Sequence, residues 1–246
     1  MSAWKAKRFW KTATVTEAAD GYGVELDARP VRTPAKAPLV VPTRALAEEI
    51  AREWDSVDDK IDPSKMPYTR SANAAIDKVV RQHAEVARMI ADYGDADLVC
   101  YRAEAPQELR QRQAEAWDPL LDWADSALRV KLLPVVGVVH FPQDPVALAH
   151  LHHRVEALDS WALTAFHDLV SLSGSLVIGF AALHDLHPAE TLWGLSRVDE
   201  TWQQEQWGSD EEALFMASRK ESDFLHAKRF YDISRAGAAP RQPRFT

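Results

Sequence analysis

The side chains able to do chemistry are few in this chain, and their spacing argues against catalysis. His150, His152 and His153 cluster on one candidate helix, and histidines three apart on a helix can share a metal. No HExxH or ExxH pattern accompanies them, and His150 and His153 fall opposite the Leu148/Leu151/Val155 stripe, where solvated residues belong. His184 and His187 lie three apart near a break. Cys100 is the single cysteine, so no intramolecular disulfide can form, and its apolar setting in Leu98-Val99-Cys100-Tyr101 raises the thiol pKa and leaves it inert. Ser173-Gly174-Ser175 has the middle of a nucleophile elbow without the GxSxG spacing, and reads as small-residue helix packing. Asp55, Asp58, Asp59, Asp95 and Asp97 are abundant carboxylates, but nothing places two of them around one cleft, so they read as solvated acidic loops. Gly21-Tyr22-Gly23 lacks the third glycine of a dinucleotide fingerprint, and no GxxxxGK[ST] occurs. No catalytic residue, metal site or cofactor is expected.

What remains is aromatic. Nine tryptophans stand against five tyrosines, an unusual balance that directs attention to where the tryptophans fall. At 100° per residue, a helix over 188–207 puts Leu192, Leu195, Val198 and Trp202 on one stripe. Trp193, Glu200 and Trp207 project on the opposite side, joined by Ser196, Gln203 and Gln204. If the first stripe is buried, Trp193, Glu200, Gln203 and Trp207 form a protein-binding face, because exposed tryptophan with polar neighbours is the composition of a binding hot spot. The alternative is a helix buried on both sides.

The elements that must position these residues change character along the chain. Thr12, Thr14, Val15 and Thr16 are β-prone, Asp20-Gly21-Tyr22-Gly23 is a turn signal, and Val24-Glu25-Leu26 alternates, which predicts a hairpin. Val31-Arg32-Thr33-Pro34 and Leu39-Val40-Val41 add further short strands, confined to edges by prolines. From Thr43, a helix cap, Leu46, Ile50, Trp54 and Val57 share a helical face. Two helical pieces meet near His83, another helix starts near Pro106 with Pro119 expected to kink or restart it, and Leu132–Phe141 is a buried strand or an extended loop. Four helices follow: one from Pro145 continuing toward Leu169, one over Leu172–Leu183, one from Pro188 to Trp207 ending at Gly208, and one from Glu211 to about Ile233. The expected fold is α+β: a small antiparallel β-rich N-terminal domain with one helix over 1–65, a larger α-helical domain over 66–235, and a flexible tail over 236–246.

Composition narrows the function classes. With 246 residues, 46% hydrophobic and 27% charged, the chain is globular, and a net charge of −8 removes any general attraction to nucleic acid. Leu169–Leu183 is interrupted by Ser171, Ser173, Gly174 and Ser175 and is shorter than the ~20 residues of a membrane span. Lys5, Lys7, Arg8 and Lys11 stand among Trp4, Phe9 and Trp10, with no apolar run after them as a secretory signal requires. No membrane insertion is expected, and a cytoplasmic monomer is.

Several segments, in order, resemble the assembly chaperones of the F-type ATP synthase that attend its alpha subunit, the Atp-twelve family of alphaproteobacteria and mitochondria. They are Arg29-Pro30-Val31-Arg32-Thr33-Pro34, Leu39-Val40-Val41-Pro42-Thr43, Glu53-Trp54-Asp55, Ile61-Asp62-Pro63 and Met66-Pro67-Tyr68-Thr69-Arg70. Further along come Asp97-Leu98-Val99-Cys100-Tyr101-Arg102, Trp117-Asp118-Pro119-Leu120-Leu121, Ser173-Gly174-Ser175, Asp199-Glu200-Thr201-Trp202-Gln203 and Trp207-Gly208. The resemblance implies a β-rich then helical chain, no cofactor, no ATP-driven cycle, and the unassembled alpha subunit as client. The start at Lys7-Arg8-Phe9-Trp10 fits an alphaproteobacterial member in the bacterial cytoplasm. The competing class is a small-molecule enzyme with acidic and histidine side chains in a cleft between the two domains, and a third reading is a permanent structural subunit.

Overall fold

The computed structural model describes residues 7–236. From residue 237 onward the expected tail lies outside the described residues, as do Trp4 and Lys5. The architecture is α+β, with a small antiparallel sheet first and helices over most of the remainder. Two compact units are present, Met1–Arg81 with Arg229–Thr246, and Gln82–Lys228, where the sequence suggested a division after residue 65.

In the first unit, β1 (Ala13–Ala18) and β2 (Gly21–Leu26) pair as the expected hairpin, with Ala18 opposite Gly21. The turn is Ala19-Asp20, so Gly21-Tyr22-Gly23 is strand and not the loop its glycines suggested. Gly21 is needed for close approach: at φ +150°, a Cβ there would lie 2.2 Å from the Val41 carbonyl oxygen. β2 also pairs with β3 (Arg29–Pro30) and β4 (Val40–Val41), so the third strand falls just before the Val31–Pro34 run. α1 (Arg44–Asp55) starts where Thr43 accepts the Leu46 N–H, and lays Leu46, Ala47 and Ile50 against the hairpin. The same Thr43 hydroxyl donates to the Ile233 carbonyl at 2.6 Å, which ties the end of the chain into this unit. Buried Glu53 accepts from the Tyr68 and Thr69 N–H groups and the Thr69 hydroxyl, capping α2 (Pro67–Ala74). Burial pushes its carboxyl above the ordinary glutamate value against those bonds.

In the second unit, α3 (His83–Ala91) leads to β5 (Tyr101–Arg102), which pairs in parallel with β6 (Val135–Val136). Between them α4 (Gln107–Trp123) continues through Pro119 with no restart there, and widens into a π-turn over Ala124–Leu128. Pro119 lies on the exposed side, where water can take the carbonyl its missing N–H leaves unpaired. The run expected from Pro145 toward Leu169 is two helices, α5 (Pro145–Glu156) and α6 (Ser160–Ser173), because Asp159 caps a new start by accepting from Trp161 and Ala162 N–H. α7 (Leu176–Leu183) begins after a corner: Gly174 is left-handed at φ +72°, and Ser175 caps α7 through Ile178 N–H. Ser173-Gly174-Ser175 is therefore a helix-to-helix junction, where the start of a helix over Leu172–Leu183 was expected. The single helix expected over 188–207 is α8 (Ala189–Leu195) and α9 (Val198–Trp207), separated at Ser196-Arg197. α9 stops at Gly208, as expected, and α10 (Glu211–Ser234) follows. No helix among the described residues is long and apolar enough to cross a membrane.

Asp97 is the pivot of this unit. Fully buried, it accepts from Val99 N–H at one oxygen and from Val177 N–H at the other, so one carboxylate serves the starts of a 3-10 turn (Leu98–Cys100) and of α7. Burial raises its pKa to about 6, with Ser175 and the backbone bonds pulling the other way. Because the folded value lies above the ordinary 3.8, the stabilisation from the bound proton is fully present below 3.8 and lost as pH rises through about 6. Asp97→Ala should cost about 2–4 kcal/mol by uncapping two buried helix starts, read as a lowered melting temperature. Between about pH 5 and about pH 7.5 the native chain should lose about 1 kcal/mol relative to Asp97→Asn, which cannot titrate. Denaturant titrations at the two pH values check this, and parallel pH responses would refute it.

Candidate functional site

The tryptophan and carboxylate face expected on one helix is divided by the break between α8 and α9. Trp193, on α8, is only 5% exposed and packs on Phe224 with ring centroids 5.7 Å apart. It is core, so it does not share an exposed face with Trp207. Glu200, near the start of α9, is half-buried and accepts from Arg197 at 2.6 Å, while the Arg197 guanidinium lies 5.6 Å above the Trp193 ring. The carboxylate thus has a partner within its own chain. Gln203 and Trp207 are exposed, Trp207 at 79%.

Three side chains of α4 hold α9 and its lead-in. Gln113 Nε2 donates to Asp199 at 2.6 Å while its Oε1 accepts from Ala103 N–H, Arg112 pairs with Glu205, and Trp117 Nε1 donates to the Leu195 carbonyl at 2.8 Å. Between these elements and the β5–β6 ladder lies an open cleft of about 500 Å³, lined by Tyr101, Leu109, Trp117, Val138, Asp199 and Gln203 among others. The buried floor of β5 is Arg102, whose guanidinium sits 5.1 Å from the Trp117 ring centroid and donates to Asp118.

The segment after β6 is the feature that the sequence reading did not find. Val136, Val138, Val139 and Phe141 are all at least half exposed, with Val138 at 94%. The loop carrying them is closed by buried Gln143, which accepts from Leu133 N–H and donates to the Leu133 carbonyl, and by Asp95, which accepts from Gln143 N–H and contacts His140. Leu132–Phe141 is therefore mostly loop with a two-residue strand, and its valines face outward. A run of valines reads as burial in sequence, and only the unpaired outer edge of β6 shows otherwise. The other chemical candidates are dispersed: His150 and His153 are exposed on α5, His184 stands edge-on to Trp123, and Cys100 is buried with its thiol pKa pushed up by desolvation. No group of three or more His, Cys, Asp or Glu among the described residues could hold a metal ion. The arrangement can bind an apolar, hydrogen-bonding surface.

Comparison with known proteins gives a consistent set of relatives. A family model described as ATP12 chaperone protein matches residues 7–125. The crystal structure of Atp12 from Paracoccus denitrificans is 49% identical, covers 95% of this chain and 100% of that one, and superposes with a TM-score of 0.91. A point variant of the same protein matches equally well. A protein of Agrobacterium tumefaciens is 38% identical over 92% of this chain and 85% of that one, with a TM-score of 0.88. The mitochondrial protein atp12 of Schizosaccharomyces pombe is 28% identical over 220 residues, 84% of this chain and 75% of its own.

The burial contrast within the tryptophan set yields a direct test. Trp193→Ala should cost about 3–5 kcal/mol and lower the melting temperature markedly, since it empties a buried site against Phe224. Trp207→Ala should shift stability by less than about 0.5 kcal/mol. Thermal melts of both variants decide it, and equal shifts would show that the two side chains are not differently buried.

Proposed function

The chain belongs to the ATP12 chaperone family, whose members are ATP synthase assembly chaperones and not enzymes, and from that premise we propose that its client is the unassembled alpha subunit of the F-type ATP synthase catalytic head. On this reading it holds the alpha subunit without using ATP, in the bacterial cytoplasm, until the beta subunit arrives. The observation that carries the proposal is the row of outward valines at Val136, Val138 and Val139, presented by a loop whose ends are tied down, beside an apolar cleft that Gln203 of α9 also lines. An unassembled subunit exposes apolar surface meant for a neighbour, and a fixed apolar face with hydrogen-bonding groups at its edge complements it. Absence of a phosphate-loop motif from the sequence is in keeping with an ATP-independent cycle.

Within that surface, Gln203 and Trp207 are the direct contacts we propose, with Glu200 at their edge and Trp193 supporting Arg197 from beneath. A transient partner of this kind gains most from a few anchors.

Light scattering of purified alpha subunit should fall when this chain is present at equal concentration, and equal scattering with and without it would overturn the proposal. Trp207→Ala should weaken client binding by about 2 kcal/mol, roughly thirtyfold, at unchanged melting temperature. Glu200→Lys should weaken binding while costing about 0.5 kcal/mol of stability, because it sets a second cation beside Arg197 three residues away. Wild-type affinity in both variants would remove α9 from the client surface.

A further inference from the structure

α10 offers a second exposed surface whose charge order names its occupant. Its first ten residues, from Glu211 to Lys220, are exposed apart from half-buried Ala217, and the helix first buries a side chain at Phe224. Asp210 caps this free end by accepting from Ala213 N–H at 2.7 Å, so the segment is a formed helix. At 100° per residue, Ala217, Glu221 and Phe224 share the inward side. The outward side carries two adjacent stripes, each with members four apart: Glu211, Phe215, Arg219 and Glu212, Met216, Lys220. Both read acid, apolar, base. Phe215 is 62% exposed and Met216 48%, and none of the four charged groups makes an ion pair among the described residues.

We propose that this half-helix docks on the same segment of a second copy of the chain, antiparallel, about a two-fold axis passing between Phe215 and Met216. A two-fold placed there brings each stripe against its own copy, Glu211 against Arg219 of the second copy and Glu212 against Lys220, with Phe215 and Met216 packed on their counterparts at the centre. Each contact recurs by symmetry, as an isologous interface requires. A parallel arrangement would set acid on acid and base on base, so the order of charges selects both the partner and its direction. Ten residues span about 15 Å of helix, less surface than a permanent dimer buries, so the self-association is weak and concentration-dependent. It goes beyond the expected monomer and does not rest on the identity of the client.

Sedimentation velocity from about 10 µM to about 1 mM should show a monomer–dimer equilibrium that weakens when salt is raised from about 0.05 M to about 0.5 M. Glu211→Lys with Glu212→Lys, or Arg219→Glu with Lys220→Glu, should each weaken it more than about tenfold with circular dichroism unchanged. An equimolar mixture of the two double variants should restore association as a heterodimer. A monomer at every concentration overturns the proposal, whether or not the same substitutions weaken client binding. A dimer insensitive to salt and to both variants also overturns it, and a mixture that stays monomeric overturns the antiparallel register. The salt series needs no variant, so it decides even where a variant misfolds.

Discussion

A single buried carboxylate, Asp97, holds together the part of the molecule that carries the open cleft and the exposed valine loop. It bonds to the chain immediately after it and to the start of α7, and Leu98 N–H donates to the Gly174 carbonyl at the same junction. Fixing residues 97–100 fixes the strand that follows. Arg102 then reaches the Val99 carbonyl and Asp118, and its strand supplies the pairing partner for β6. The exposed valine loop hangs from that ladder. A buried charge is costly unless every lone pair is met, so this arrangement admits few alternatives and holds the exposed loop above it in one place.

The segments that carry the family resemblance turn out to bond to one another across the sequence. Glu53 meets Tyr68 and Thr69, Asp97 meets the corner at Ser175 and Val177, and Arg102 meets Trp117 and Asp118. Asp55 accepts from Ala13 N–H, and Asp199 accepts from Gln113. These residues offer no free catalytic group for a physical reason: their polar groups are consumed by backbone groups and by one another's side chains. A carboxylate that already accepts two or three N–H groups has little capacity left to act as base or ligand.

Exposed valines, Phe215 and Trp207 carry a solubility cost that the rest of the molecule offsets. The net charge of −8 gives the chain self-repulsion, and the tied ends of the valine loop keep its edge short.

Much of the fold was legible in the sequence. The hairpin, the Thr43 cap, the face of Leu46 and Ile50, the stop at Gly208 and the extent of α10 follow from local rules, because period, capping and turn chemistry act within a few residues. The helix boundaries at Asp159, Ser175 and Ser196 did not follow, since an apolar run continues across each and the break is set by where the next helix packs. At the candidate site, the sequence picked out α9 but set Trp193 and Trp207 on one face. Phe224, thirty-one residues further on, buries the first and leaves the second in water. The valines after Val135 were ambiguous for the same reason. Hydrophobicity tells that a side chain prefers to leave water, but only the tertiary structure decides which of them finds a neighbour in its own chain and which is left for a partner.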